Sequence, residues 1–305
     1  MSNPLIGIDL GGTKIEGIIL DGPGHREVLA RKRIPTEKTK GYDHIIGNIV
    51  GLVRQLASEH HINLKSVGIG TPGVLDPATQ TMKNCNTTVL NGRNVKADLE
   101  KALTVPVFMA NDANCFAVAE TVLGIVPDHV PQARITFGVI MGTGVGGGLV
   151  VNGQVWNGVH GIGGEWGHNF LDASGGPCYC GRSGCVETVI AGPSLERFYK
   201  AQSGQARSLK EILERRESDK YAEQTIQRLL HFFGKAIGPL VNVIDPDAII
   251  LGGGVGNIDE LYTEGRKYVL PFLFNNRFDT PILKPKLGDS AGVFGAALLN
   301  LTDTN

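Results

Sequence analysis

One histidine and three cysteines lie close together near the middle of the chain. His168 is followed by Cys178, Cys180 and Cys185, and the cysteines form the pattern C-x-C-G-x-x-G-C. One imidazole and three thiolates are the ligands of a closed structural Zn²⁺ site, and the glycines let the chain fold back around a metal. The chain has 5 cysteines and no export signal, which argues against a disulfide framework. The cluster therefore predicts one structural zinc ion.

Three glycine-rich turns form a second group of chemically informative residues. They are Asp9-Leu10-Gly11-Gly12-Thr13-Lys14, Gly142-Thr143-Gly144 and Gly252-Gly253-Gly254. Backbone N–H groups freed by glycine can form an anion nest, Lys14 adds positive charge, and the Asp9 carboxylate can hold Mg²⁺. The chain lacks the Walker A pattern G-x-x-x-x-G-K-[ST]. Two turns of this kind would hold a triphosphate and the third a flat group such as adenine, although each turn taken alone is equally typical of a tight hairpin.

An acidic residue follows a predicted strand at Asn111-Asp112. Phosphoryl transfer to a hydroxyl needs one carboxylate that takes the hydroxyl proton, and Asp112 at the tip of a strand could do this. The same position is also typical of an ordinary helix N-cap, and spacing alone favours the cap. The residues themselves leave both interpretations open.

The elements that must position these residues alternate between strands and helices. Apolar runs predict strands at 5–10, 15–20, 26–34, 67–70, 107–110 and 248–251, and helical spacing predicts helices at 42–60, 113–122, 219–244 and 292–301. This order indicates α/β layers with antiparallel hairpins at the start. A strand-turn-strand unit recurs at an offset of 131 residues, from Gly7 and again from Gly138. The repeat suggests two similar halves.

Composition excludes several classes of protein. A chain of 305 residues suggests about two domains. Lys and Arg total 29 against 30 Asp and Glu, so there is no basic excess for nucleic acid or a membrane surface. The apolar runs are too short to cross a bilayer, and the first residues show no signal-like stretch. We therefore expect a cytoplasmic protein with small-molecule ligands.

Taken together, these motifs make the chain resemble the ROK family of sugar kinases, within the actin-like ATPase superfamily. The resemblance is carried by the first glycine turn, Asn111-Asp112, Gly142-Thr143-Gly144, Gly164-Glu165-Trp166-Gly167-His168, the cysteine cluster with Glu187, and Leu251-Gly252-Gly253-Gly254. It implies an α/β, ribonuclease-H-like fold of two domains that close on a cleft, and a homodimer. We place the smaller domain at 1–110 plus the C-terminal helix at 292–305, and the larger domain with the zinc loop at 111–291.

The resemblance also assigns roles to individual residues. Asp112 matches the catalytic base, which decides against the cap interpretation. The ATP-binding positions are Asp9, Gly11, Gly12, Thr13, Lys14, Gly142, Thr143, Gly144, Gly252, Gly253 and Gly254. The sugar-binding positions are Asn86, Asn111, Asp112, Glu165, His168 and Glu187. The zinc ligands are His168, Cys178, Cys180 and Cys185. The implied cofactors are ATP with Mg²⁺ and structural Zn²⁺.

Two segments of the sequence bear on the identity of the sugar. Residues 83–92 resemble the sugar-facing segment of ROK fructokinases, which favours fructose, phosphorylated at its primary hydroxyl. Only nine residues separate His168 from Cys178. ROK fructokinases and N-acetylglucosamine kinases carry a longer insert there, so this spacing is more similar to that of ROK glucokinases and N-acetylmannosamine kinases. The alternatives to fructose are glucose, mannose and an N-acetylhexosamine, either N-acetylglucosamine or N-acetylmannosamine. Some family members are repressors that bind sugar without phosphorylating it. Their N-terminal helix-turn-helix domain has no room before Gly11, which makes this alternative remote.

Overall fold

The computed structural model describes residues 4–22 and 27–301. These residues form two compact units. The first unit comprises the described residues within Met1–Gln132, Gly148–Gly164 and Lys286–Asn305, and the second comprises Ala133–Gly147 and Glu165–Pro285. The domain division near Asn111 that the sequence suggested stays a prediction.

The first part of the chain supplies most elements of the first unit. Its strands are β1 (Leu5–Leu10), β2 (Lys14–Leu20), β3 (Val28–Pro35), β4 (Val67–Thr71), β5 (Val74–Leu75), β6 (Met82–Lys83) and β7 (Val107–Asn111). Its helices are α1 (Tyr42–Glu59), α2 (Val95–Leu103), α3 (Asp112–Val122) and α4 (Val126–His129). Arg26, predicted to begin the third strand, lies outside the described residues. The other strands and helices predicted for this region are confirmed.

The first sheet has the strand order β3-β2-β1-β4-β7. β1 pairs antiparallel with β2 and parallel with β4, and Asp9 stands opposite Glu16 in the register. One face packs against α1 and α2 around a continuous apolar core that includes Ile8, Ile49 and Leu99. The carboxyl ends of β1, β4 and β7 therefore carry Asp9, Thr71 and Asn111 to the same edge of the sheet.

The remaining elements follow in chain order. The strands are β8 (Ile135–Met141), β9 (Val145–Val151), β10 (Gln154–Val155), β11 (Ala248–Gly252) and β12 (Ile282–Leu283). The helices are α5 (Val186–Ile190), α6 (Gly192–Ser203), α7 (Leu209–Glu214), α8 (Lys220–Ile244), α9 (Gly253–Gly256), α10 (Glu260–Thr263), α11 (Gly265–Val269) and α12 (Ala291–Leu298). The long helix predicted at 219–244 is confirmed. The predicted C-terminal helix ends as a 3-10 turn at Leu299–Leu301.

The second sheet has the order β10-β9-β8-β11-β12, which repeats the arrangement of the first. In each sheet the first strand is central, the next two lie on one side and the parallel strands lie on the other. β8 and β11 pair in parallel, as β1 and β4 do. The internal repeat predicted from the sequence is thus confirmed at the level of topology.

Helix α12 returns to the first unit and covers β1 and β4 at very close range. A Cβ on Gly68 would stand 1.8 Å from the carbonyl oxygen of Ala296, and a Cβ on Gly7 would stand 2.4 Å from the backbone nitrogen of Ala297. Glycine is required at both positions because real Cβ contacts are never that short. Among the described residues, no helix is long and apolar enough to span a membrane.

Candidate functional site

The first glycine turn joins β1 to β2 and is held by residues after β3. The N–H of Gly11 donates to the carbonyl of Lys14 at 3.0 Å. The Thr36 hydroxyl donates to the carbonyl of Gly11 at 2.7 Å, and the Thr36 N–H donates to the carbonyl of Thr13. Within the described part of the chain, no partner is seen for the N–H groups of Gly12 and Thr13. The turn therefore offers unbonded donors to an anion.

Asp9 precedes this turn and lies beside α12. Burial raises the pKa of its carboxyl to about 6, and the charges of Asp112 and Glu16 add to that shift while Lys14 opposes it. A carboxylate crowded by other acids is a favourable partner for a cation, since a cation relieves both repulsion and desolvation. Asp9 thus fits the predicted Mg²⁺ contact.

Glu16 stands opposite Asp9 in the β1–β2 register, so both side chains lie on the same face of the first sheet. Glu16 was not predicted as a functional residue. Its carboxylate is buried and pairs with Lys14, Arg31 and Arg33, the last at 2.8 Å. Burial alone would raise the pKa of Glu16, but the hydrogen bonds from Arg33 and Arg31 outweigh it and lower that pKa. The available signal was a lone acid within the apolar strand K-I-E-G-I-I-L.

Asn111 and Asp112 mark the junction between β7 and α3. Asn111 is the helix N-cap, because its Oδ1 accepts the N–H of Asn114 at 2.8 Å. Asp112 does not cap the helix. Its Oδ1 accepts the N–H of Ala113 at 2.8 Å, and its side chain retains surface exposed to solvent. Partial removal of water nevertheless raises the pKa of Asp112, which suits a group that must accept a proton.

Asn86 lies in the loop after β6 and is exposed. Its neighbour Thr87 is buried, and the Thr87 hydroxyl has no hydrogen-bond partner among the described residues. A Cβ on Gly12 would stand 3.8 Å from Thr87 Oγ1. The loop predicted to face the sugar is therefore adjacent to the first glycine turn, and Thr87 is a polar residue there that sequence reasoning missed.

The histidine and three cysteines predicted to bind zinc come together in the second unit. Their ligand atoms all lie within 4.8 Å of one another, and all three cysteines are free thiols. Cys178 Sγ is 3.6 Å from His168 Nδ1, and Cys180 Sγ is 3.6 Å from Cys185 Sγ. Tetrahedral zinc would place such pairs about 3.6 Å and about 3.8 Å apart, respectively. The donor set therefore fits Zn²⁺ with no position left for water.

The loop reaches this geometry through residues of positive φ. Gly181 and Gly184 have φ of 87° and 74°, which lets the short cysteine segment turn back on itself. The second ring nitrogen of His168, Nε2, lies 3.0 Å from the hydroxyl of Tyr179. Tyr179 is exposed and was not singled out from the sequence, where it appears only as the spacer of the C-x-C pattern. A sugar hydroxyl that reaches Nε2 would therefore meet this phenol.

The second glycine turn, between β8 and β9, contacts two other predicted segments of the same unit. The N–H of Gly142 donates to the carbonyl of Gly144 at 2.9 Å. The N–H of Val145 donates to Glu187 Oε2 at 3.0 Å, and the indole N–H of Trp166 donates to the carbonyl of Gly146 at 3.1 Å. The structure thus brings the second glycine turn into contact with the segment around His168 and with Glu187, a contact that the sequence analysis did not predict.

The third glycine run closes β11 and begins α9. Gly253 has φ of 81°, and a Cβ there would stand 2.3 Å from the carbonyl of Met141. A Cβ on Gly142 would stand 4.0 Å from the backbone nitrogen of Gly254. The second and third glycine turns are therefore adjacent, and together they leave a side-chain-free backbone surface for a flat ligand.

The fold and the site define a two-domain α/β kinase of the actin-like ATPase type. The family model described as "ROK family" matches residues 5–303. The chain belongs to the ROK family and is a sugar kinase of that family. The resemblance read from the sequence motifs is confirmed.

Three relatives illustrate the similarity. An N-acetyl-D-glucosamine kinase from Pasteurella multocida is 35% identical over 97% of this chain and 99% of its own. The ROK hexokinase structure from Thermus thermophilus is 31% identical, covers 97% of each chain and has a TM-score of 0.85. A ROK glucokinase structure from Streptomyces griseus, in complex with glucose and AMPPNP, is 26% identical over 96% of this chain and 98% of its own, with a TM-score of 0.73.

Proposed function

We propose that the protein transfers the γ-phosphoryl group of ATP to the primary hydroxyl of N-acetyl-D-glucosamine. The observation that carries the sugar choice is the 35% identity, over nearly the full length of both chains, to a kinase of that sugar. The fructose preference expected from residues 83–92 has no support among these relatives. Glucose remains the second candidate, because the two similar structures are a hexokinase and a glucokinase.

The donor assignment is supported by the glycine turns and by one relative's ligand. The S. griseus glucokinase was crystallised with AMPPNP, an ATP analogue. In this chain the unbonded N–H groups of Gly12 and Thr13 suit a phosphate, and Asp9 would hold Mg²⁺. Bound Mg²⁺ would neutralise charge on the phosphates. The zinc ligands close their metal completely, so that metal would hold the loop in shape and take no part in the reaction.

Asp112 performs the proton transfer in this proposal. The carboxylate accepts the proton of the sugar hydroxyl as that oxygen forms its bond to the γ-phosphorus. The bond between the γ-phosphorus and the bridging oxygen breaks, and ADP leaves with the electron pair. Asn111 is fixed by its capping bond at the start of α3, so the backbone that carries Asp112 is rigid.

The test is a coupled ADP-release assay with N-acetylglucosamine, N-acetylmannosamine, glucose, mannose and fructose. We expect the highest kcat/KM with N-acetylglucosamine, and a product whose phosphorus couples to the C6 protons in NMR spectra. A higher kcat/KM for fructose or glucose would overturn the choice of sugar and leave the kinase assignment intact. Binding of an ATP analogue without ADP release on any of these sugars would overturn the proposed reaction. The homodimer stays a prediction, to be checked by light scattering.

A further inference from the structure

Glu187 links the second glycine turn to the segment that carries the zinc ligands. It lies in α5, two residues after Cys185, and its Oε2 accepts the N–H of Val145 at 3.0 Å. Its other oxygen, Oε1, lies 4.0 Å from Cys178 Sγ. Val145 is the first residue after the turn, so one carboxylate contacts both the turn and the metal cluster.

The backbone around Glu187 is tied to the same turn a second time. The N–H of Gly192, at the start of α6, donates to the carbonyl of Gly142 at 2.9 Å. The carbonyl of Glu187 accepts the Ser194 hydroxyl at 2.9 Å and the N–H of Ala191 at 3.1 Å. The bend between α5 and α6 therefore holds the turn at both of its ends. A movement of the turn must move Glu187 as well.

The Cβ position of Gly144 shows how closely the second glycine turn and the Glu187 carboxylate pack together. A Cβ on Gly144 would stand 2.4 Å from Glu187 Oε2, so a larger residue there must displace the carboxylate. Gly142, two residues earlier, has no such neighbour, since a Cβ there would meet only the Gly254 nitrogen at 4.0 Å. Neither glycine is among the residues of positive φ, so alanine is compatible with both backbones.

We propose that Glu187 is a positioning residue that couples the sugar subsite to the phosphate-binding turn through Val145 and Gly144. The inference rests on the proposed function and on the roles that the family resemblance implies, in which Glu187 binds a sugar hydroxyl and the second glycine turn binds phosphate. A partly exposed carboxylate already fixed by one N–H presents its remaining lone pairs in a defined direction, which lowers the ordering cost of binding the sugar. By linkage, phosphate that orders the turn then strengthens sugar binding, and sugar strengthens nucleotide binding by the same factor.

The decisive experiment compares Gly144→Ala with Gly142→Ala, using calorimetric titration of N-acetylglucosamine into nucleotide-free protein. Gly144→Ala should weaken sugar binding roughly tenfold, which corresponds to about 1.4 kcal/mol, because its methyl group displaces Glu187. Gly142→Ala should leave the sugar Kd within about twofold, as expected for a methyl group in open space. Zinc content and melting temperature establish that both variants are folded. Equal sugar affinity in the two variants would overturn the coupling.

A second pair of variants tests the link from the other direction and does not require Gly144→Ala to fold. Glu187→Gln keeps an oxygen that can accept the Val145 N–H, whereas Glu187→Ala removes it. In sugar-free protein, the Kd of Mg-ADP should rise several-fold in Glu187→Ala and stay near the wild-type value in Glu187→Gln. Unchanged nucleotide affinity in Glu187→Ala would contradict the proposal. Failure of the wild-type protein to bind any sugar would instead count against the proposed function, and the nucleotide measurements would still decide the coupling.

Discussion

Arg33 Nε donates to Glu16 Oε2 at 2.8 Å, across the β2–β3 pair of the first sheet. Arg31 binds the other carboxylate oxygen, and Lys14 Nζ lies 3.8 Å from Oε2. A single buried carboxylate thus forms ion pairs with three partly exposed basic side chains next to the first glycine turn. Removal of the carboxylate would leave these cations facing one another, which makes Glu16 a point where the stability of the turn can be tested.

We predict that Glu16→Gln lowers the free energy of unfolding by about 1–3 kcal/mol at neutral pH, the usual cost of losing charge-assisted hydrogen bonds. Because the pKa of Glu16 is lowered in the folded protein, its contribution is present above the ordinary value of 4.5 and is lost as the pH falls through the folded-state pKa. The difference between variant and wild type should therefore shrink in acid. Denaturant unfolding at pH 7 and pH 4 measures this. Glu59→Gln is the matched control. Glu59 forms an exposed ion pair with Lys32, which lies in β3 between Arg31 and Arg33.

For Asp112→Asn we predict a loss of about 10²–10⁴ in kcat with sugar affinity little changed, because the amide cannot accept the hydroxyl proton. Steady-state kinetics and calorimetric sugar titration separate the two quantities. The melting temperature should not fall, because Asn111 supplies the helix cap. Near-normal kcat in this variant would remove Asp112 as the base.

Protein purified without a histidine tag should contain about one zinc per chain, because all four ligands are protein atoms. Cys180→Ser should lower both zinc content and melting temperature and raise the KM for sugar, since the same loop carries His168. Cys85→Ala serves as the control and should retain its zinc, because Cys85 is buried outside the cluster. Metal analysis with parallel thermal unfolding is the measurement. Fully active protein that contains no zinc would contradict the prediction.

For Asp9→Asn we predict a higher melting temperature at pH 8 together with loss of Mg-nucleotide binding. The pKa of Asp9 is raised to about 6 in the folded protein. The stability gained from protonation is therefore complete below the ordinary value of 3.8 and is lost as the pH rises through about 6. At pH 8 the ionised carboxylate destabilises the fold by up to about 3 kcal/mol, which asparagine relieves. The increase in melting temperature of Asp9→Asn over the wild type should be smaller at pH 5 than at pH 8. Thermal unfolding in magnesium-free buffer measures this difference.

The sequence alone determined what depends on local spacing. The cluster of His168, Cys178, Cys180 and Cys185 and the repeated strand-turn-strand unit were predictable, because turns and strands follow from residues near one another in the chain. The prediction that Asp112 is the catalytic base required the family resemblance, because spacing alone favoured a helix cap. Only the structure showed that Asn111 is the residue that caps the helix.

Tertiary structure decided the contacts between distant residues. Glu187 meets Val145 across 42 residues, and Glu16 meets Arg33 because antiparallel register places them opposite each other. Neither contact leaves a periodic signal in the sequence. Each depends on which elements pack together and at what register, and these are consequences of burying the whole apolar core.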